Sequence, residues 1–301
     1  MASSFPDRSP VAGTVLARRS PAKTNLRLKI TGKRPDGYHE LETLFIPLQS
    51  PCDHITIRLD AAPGIVVSAS VPDIPGGSGN ICWKAVDKYC RAAGIAPQLD
   101  IYIEKHIPVA AGLGGGSANA ATVLLLLQEH YRALDDHALA ELAVSIGADV
   151  PFFLHCHPAV ATGVGEKFTF LDFDPRTIPL VIAAPDFPVS AAWAYKHLKT
   201  ERIGQAAGMD EIVSAIRRGD WQMCAALICN DLAFELYEKF PLMDMLRLAL
   251  LDAGALGAEV SGSGPSMFAI FSDHKAAAAG AKQVREAFEG KVRTFVAMAG
   301  E

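Results

Sequence analysis

The chain has 301 residues, half of them hydrophobic and a fifth charged, with a net charge of −5. That is the composition of a globular protein of one large or two ordinary domains. With no long basic run it gives no electrostatic support for a nucleic-acid or membrane-surface partner, and its densest apolar run, residues 123–127, is far short of the roughly 20 needed to span a bilayer.

Residues 1–20 carry Arg8, Arg18, Arg19 and several serines but no clear cleavage signal, and are expected to form a short disordered tail. From residue 25 to 30, Leu26, Leu28 and Ile30 alternate with Asn25, Arg27 and Lys29, which predicts a half-buried strand. Arg34-Pro35-Asp36-Gly37 is turn chemistry. Strands are expected over 40–47, 54–59 and 65–69, then a helix from Asn80 as cap to about residue 93, and a strand from Leu99 that ends near Lys105. After Pro108 and a glycine cluster comes a helix over about 117–132. Asp135 or Asp136 caps another, which Gly147 is placed to end, and 160–170 reads as strand, turn, strand.

Past Pro175 the order changes. A strand over 180–184, helices over 191–253, strands over 258–261 and 266–271, a helix over 275–288 and a strand over 292–297 reduce to β-α-β-β-α-β, the ferredoxin-like split motif. The fold class is therefore α+β, with an N-terminal mixed α/β domain over 21–174 and a C-terminal ferredoxin-like domain with additional helices over 175–301. Six scattered cysteines form no C-x-x-C pair, so a reducing cytoplasm is expected. His155-Cys156-His157 has no second ligand cluster and is read as polar residues near a strand end, not as a metal centre.

The strongest chemical signal is Pro108-Val-Ala-Ala-Gly112-Leu113-Gly114-Gly115-Gly116-Ser117-Ala118, between a strand and a helix. Its glycines remove the β-carbons that would hold a ligand off the backbone, and the following helix adds unpaired N–H groups and a positive dipole end. The result is a cradle for phosphate oxygens, with Ser117 able to reach a phosphate or a magnesium ion. No Lys-Ser or Lys-Thr follows, so this is not a P-loop, and Ser117 occupies the last glycine position of a dinucleotide fingerprint. Protein-kinase signatures are absent.

Four weaker signals accompany it. Lys23 and Asn25 share a strand face, which matters only if that face meets a cleft. Asp149 before Pro151 reads most simply as a helix cap, and alternatively as a carboxylate able to take a proton from a hydroxyl. Tyr38 and His39 after a turn could contact a heterocycle or simply lie at the surface. Ser261-Gly262-Ser263-Gly264-Pro265-Ser266 is turn chemistry with or without a ligand.

Together these segments resemble the GHMP kinases, over nearly all of the chain beyond residue 20. Residues 112–117 resemble the family's ATP-binding motif and residues 261–265 its C-terminal glycine-rich motif. The segments Ala22-Lys23-Thr24-Asn25-Leu26, Arg34-Pro35-Asp36-Gly37-Tyr38-His39 and Gly147-Ala148-Asp149-Val150-Pro151-Phe152 resemble the branch whose acceptor is a cytidine-diphosphate-linked methylerythritol, phosphorylated on its C2 hydroxyl in the non-mevalonate route to isoprenoid precursors. The resemblance implies ATP and Mg2+, and a two-domain GHMP kinase fold. It also implies Asp149 as catalytic base with Lys23 as its partner. Asn25, Tyr38, His39 and Tyr195 fall at the acceptor. Asn80, Lys105, Pro108, Gly112, Leu113, Gly114, Gly115, Gly116, Ser117 and Ala118 fall on the ATP side. Thr24, Arg27, Ala191 and Ala233 depart from the family pattern. A homoserine or mevalonate-type kinase and a non-catalytic nucleotide sensor are the alternatives. The former needs no counterpart to Tyr38-His39, and the latter predicts loss of Lys23 or Asp149. The small molecules are the only partners expected, of a monomer or a homodimer.

Overall fold

The computed structural model describes residues 13–199 and 208–297. Two compact units divide the chain: Met1–Ser20 with Asp53–Lys105 and Gly116–Leu154, and Pro21–Cys52 with His106–Gly115 and His155–Glu301. They interleave along the sequence, in contrast to the contiguous division expected at residue 174. The cause is two long strands, β1 (Val15–Lys33) and β2 (His39–Leu59), each of which contributes residues to both units. Of the expected tail, residues 1–12 lie outside the described residues, whereas 15–20 open β1 as regular strand. The strands expected separately over 40–47 and 54–59 are one, because β2 continues through Gln49-Ser50-Pro51.

In the first unit, β3 (Gly64–Ala69) pairs in parallel with β4 (Gln98–Glu104), and β4 pairs antiparallel with the end of β2, from His54 opposite Glu104 to Leu59 opposite Leu99. The period-two alternation does what it predicts: Ile55, Ile57, Leu59, Leu99, Ile101 and Ile103 are all buried. The unit's helices are α1 (Ile81–Ala93), α2 (Gly115–Tyr131), α3 (Asp136–Ile146) and α4 (Val150–His155). Asn80 caps α1 by accepting from Cys82 N at 2.8 Å, and Gly94 ends it in the left-handed conformation. Asp135 caps α3 through Ala138 N at 2.8 Å. Gly147 does follow α3, but with φ 178° it is extended, so a left-handed cap is not what that glycine supplies.

In the second unit, β2 pairs with β5 (Ala159–Thr162) and β5 with β6 (Lys167–Phe170), both antiparallel, while β1 runs parallel to the two-residue β8 (Cys229–Asn230). A separate antiparallel sheet is ordered β11-β7-β10-β9, from β7 (Leu180–Pro185), β9 (Gly257–Val260), β10 (Met267–Ile270) and β11 (Val292–Val296). That order and the helices α9 (Pro241–Asp252) and α10 (His274–Ala287) are the ferredoxin-like arrangement expected. Both faces of this sheet are buried, so β7 is a continuous apolar run. Leu180, Ile182, Phe268 and Ile270 enter one core, and Val181, Ala183, Met267 and Ala269 the other. Each fully buried Leu, Ile or Phe contributes about 1.5–3 kcal/mol. The additional helices are α5 (Ala191–Lys196), α6 (Met209–Arg218), α7 (Trp221–Leu227) and α8 (Ala233–Lys239).

Candidate active site

Glycine and positive φ shape the loop from Pro108 to Ala118. Ala110, Gly112 and Gly114 have φ of 51°, 76° and 70°. A β-carbon on Gly112 would overlap the Ser261 carbonyl oxygen and lie 3.0 Å from Gly264 N, so the position admits only glycine on both conformational and steric grounds. Gly115 and Gly116 belong to the first turn of α2 rather than to the loop, two residues earlier than the sequence suggests. The amides of Gly115, Gly116 and Ser117 are therefore start-of-helix donors, and no acidic side chain stands in that turn. Leu113 is buried and its carbonyl accepts from Lys23 N at 3.0 Å, which ties the loop to β1. This donor set, backbone N–H groups with one hydroxyl at Ser117, fits phosphate oxygens.

The two glycine-rich segments meet. Ser261 Oγ donates to Gly112 O at 3.2 Å, Thr24 Oγ1 donates to Ser261 Oγ at 3.0 Å, and Ser266 N donates to Ala111 O at 3.2 Å. Thr24, expected to depart from the family pattern, is wholly buried, and its hydroxyl joins β1 to the C-terminal turn.

Lys23 and Asn25 are both buried on β1. Lys23 Nζ donates to Asn25 Oδ1 at 2.7 Å and lies 4.9 Å from the Phe45 ring centroid. Asn25 Nδ2 donates to Thr43 Oγ1 at 2.7 Å, and that hydroxyl donates to Arg27 O at 2.7 Å. The amide of Asn25 is thus oriented from both ends, and the ammonium of Lys23 is held by an oriented acceptor.

His39 and Tyr195, remote in sequence, stack with ring centroids 5.8 Å apart and planes 22° apart. Burial, then the nearby charge of Lys33, hold His39 below the ordinary histidine value, favouring its neutral form. Tyr38, by contrast, is 66% exposed on the turn after Gly37, where its N–H donates to Asp36 Oδ1 at 3.1 Å. Asp149 is half-buried and immediately precedes α4, whose first turn contains Pro151.

Two residues expected on the ATP side have their side chains engaged within the protein. Asn80 makes its α1 cap and donates to Pro75 O at 2.8 Å. Lys105 forms an ion pair with the fully buried Asp53, and Asn119 donates to Asp53 Oδ2 at 2.8 Å and to Ser20 Oγ at 3.0 Å. Asp53, Asn119 and Ser20 were invisible as a group in the sequence, since nothing in their spacing links them. A separate cleft of about 480 Å³, lined by Glu42, Val160, Leu171, Met209, Asp210 and Arg217 among others, contains none of the expected site residues.

Residues 80–157 match the GHMP kinases N terminal domain and residues 212–290 the GHMP kinases C terminal domain. The class defined by the fold and the paired glycine segments is therefore that of the GHMP small-molecule kinases, which draw their phosphoryl group from ATP. A 4-diphosphocytidyl-2-C-methyl-D-erythritol kinase of Geobacter sulfurreducens is 40% identical over 283 residues, 93% of this chain and 99% of the relative. The crystal structure of a 4-(cytidine 5'-diphospho)-2C-methyl-D-erythritol kinase superposes with a TM-score of 0.79 at 34% identity, covering 93% of this chain and 97% of that one. Homoserine kinase from Cytophaga hutchinsonii shares the fold at a TM-score of 0.69 and 18% identity, covering 95% and 96%. The chain belongs to the 4-diphosphocytidyl-2-C-methyl-D-erythritol kinase family.

Proposed function

We propose that the protein transfers the γ-phosphoryl group of ATP to the C2 hydroxyl of 4-diphosphocytidyl-2-C-methyl-D-erythritol, giving the 2-phosphate and ADP. The full-length likeness to kinases of that name carries this reading. Phosphoryl transfer asks a protein for alignment and charge stabilisation more than for covalent chemistry. In this reading the α2 amides and Ser117 hold phosphate oxygens. Asp149 takes the proton of the acceptor hydroxyl, and the Lys23 ammonium offsets charge on the attacking oxygen. Asn25 fixes the direction of that ammonium. Ser117 would offer its hydroxyl to a magnesium ion, which when bound would neutralise charge on the phosphates.

The acceptor's base is assigned to the His39–Tyr195 pair. Two planar rings suit a pyrimidine, and neutral His39 presents one donor and one acceptor nitrogen. Among the described residues no helix is long and apolar enough to cross a membrane. Release of ADP should be followed with purified protein, ATP and magnesium, using diphosphocytidyl-methylerythritol, homoserine, mevalonate or no acceptor. Turnover confined to the cytidylyl acceptor is expected. Turnover with homoserine or mevalonate would leave the kinase class intact and overturn the role given to His39 and Tyr195.

A further inference from the structure

Gly262 sits with φ 56° against the residues assigned to the attacking oxygen. A β-carbon there would lie 3.2 Å from Asn25 Oδ1, 3.5 Å from Lys23 Nζ and 3.1 Å from Gly112 O. The backbone of this one residue therefore forms a wall of the Lys23–Asn25 pair and touches the glycine loop as well. What holds Gly262 in place is Asn230, which is 7% exposed. Asn230 Nδ2 donates to Gly262 O at 2.7 Å and to Val260 O at 2.9 Å, while its Oδ1 accepts from Leu232 N at 2.9 Å. Both amide hydrogens are thus spent on carbonyls one residue either side of Ser261, so this side chain ties the turn down on both sides of Ser261.

Asn230 is itself registered to the strand that carries Lys23. It lies opposite Leu28 in the parallel β1–β8 pairing, and the next residue, Asp231, donates from its N–H to Leu28 O at 3.0 Å. Asp231 also accepts from Ile30 N at 2.8 Å and from Lys29 Nζ at 2.8 Å. One end of the Asn230-Asp231 dipeptide is fixed to β1 and the other to the turn that confines the Lys23–Asn25 pair.

We propose that Asn230 is a positioning residue for phosphoryl transfer: by clamping the Gly262 carbonyl it fixes the wall against which the Lys23 ammonium and the Asn25 amide are held. This rests on the role given to Lys23 above. Asn230 touches neither Lys23 nor Asn25 in the contacts described, so its effect is exerted through Gly262. A shift of this wall changes how Lys23 meets the attacking oxygen more than it changes binding, so the loss belongs in kcat.

The test compares Asn230→Asp, Gly262→Ala, Lys23→Ala and the double variant Asn230→Asp with Lys23→Ala, in steady-state kinetics with ATP, magnesium and diphosphocytidyl-methylerythritol. Asn230→Asp keeps the shape but replaces both donated hydrogens by an acceptor facing two carbonyls. It is expected to lower kcat about 10- to 100-fold with the KM for ATP within about threefold. In the Lys23→Ala background the same change should have little further effect, because the two act as a unit. Should Asn230→Asp give no cooperative melt, Gly262→Ala decides, since it moves the same wall and leaves Asn230 unchanged; a comparable kcat loss is expected. A kcat near wild type in Asn230→Asp, or in Gly262→Ala where the former is unfolded, overturns the proposal while a damaged Lys23→Ala keeps the role of Lys23. Equal multiplicative losses in both backgrounds also overturn it, reducing Asn230 to a structural residue. An unimpaired Lys23→Ala would overturn the catalytic reading itself, and this inference with it.

Discussion

Asp149 and His39 are single residues whose roles separate experimentally. Asp149→Asn keeps the size of the side chain and removes the proton acceptor, so turnover should fall by about 10²- to 10⁴-fold. ATP binding, measured by calorimetry, should remain; its equal loss would mark Asp149 as a cap. His39 is held below the ordinary value of 6.5 by burial and by Lys33. Its depressed value means the unfolded chain takes up the proton first, so the stability it contributes is present above 6.5 and declines as pH falls through the folded value. The KM for the acceptor should rise over the same acid range, and His39→Gln should flatten that rise; an unchanged profile in the variant would assign the titration elsewhere. Glycines and caps were legible at this scale because they answer to local backbone geometry: Asn80 and Asp135 act within their own turns, and the positive φ of Gly112 belongs to its own loop, whereas the Ser261 carbonyl that excludes a β-carbon there is shown only by the fold. Lys105 shows the opposite. Its partner Asp53 is remote in sequence, and only the fold shows that the charge is matched in the interior.

Elements were legible where side-chain periodicity had one buried face to report. The strand from Leu99 to near Lys105 and the helix from Asn80 agree with β4 and α1 to within a residue or so. The continuity of β2 was hidden because Gln49, Ser50 and Pro51 carry turn chemistry, which pairing with its neighbours overrides. β8 was hidden by brevity, since two residues carry no period. Yet β8 brings Asp231 to β1, where the side chains of Lys29 and Asp231 are 12% and 8% exposed. Asp231→Ala leaves that ammonium unmatched and orphans Ile30 N, and should cost about 3–5 kcal/mol in urea unfolding. A cost near that of an exposed pair, under about 1 kcal/mol, would show that β8 is not needed to hold β1.

At the scale of the molecule, the C-terminal ferredoxin-like order was readable because its strands and helices follow one another in the chain. The core of the second unit was not, since Leu26, Leu44, Ile46 and Leu48 from the first fifty residues share one cluster with Ile182, Phe268 and Ile270. A fragment of residues 175–301 would therefore keep its four-stranded sheet but expose the face that those leucines and isoleucines cover. Alone it should show non-cooperative melting and bind a hydrophobic dye, and co-expression with residues 13–174 should restore a cooperative melt. A sharply melting isolated fragment would show that the sheet is self-sufficient.

The interleaving of β1 and β2 through both units also has a temporal side. A ribosome delivers every residue of the first unit by Leu154, but the second, begun at Pro21, lacks its closing strand until Val296 has emerged. The strand bearing Lys23 opens the second unit and is the last to be completed around. During synthesis its apolar residues lack the part of their cover that Ile182, Phe268 and Ile270 supply until those residues are made, which makes this stretch a client of whatever shields nascent chains.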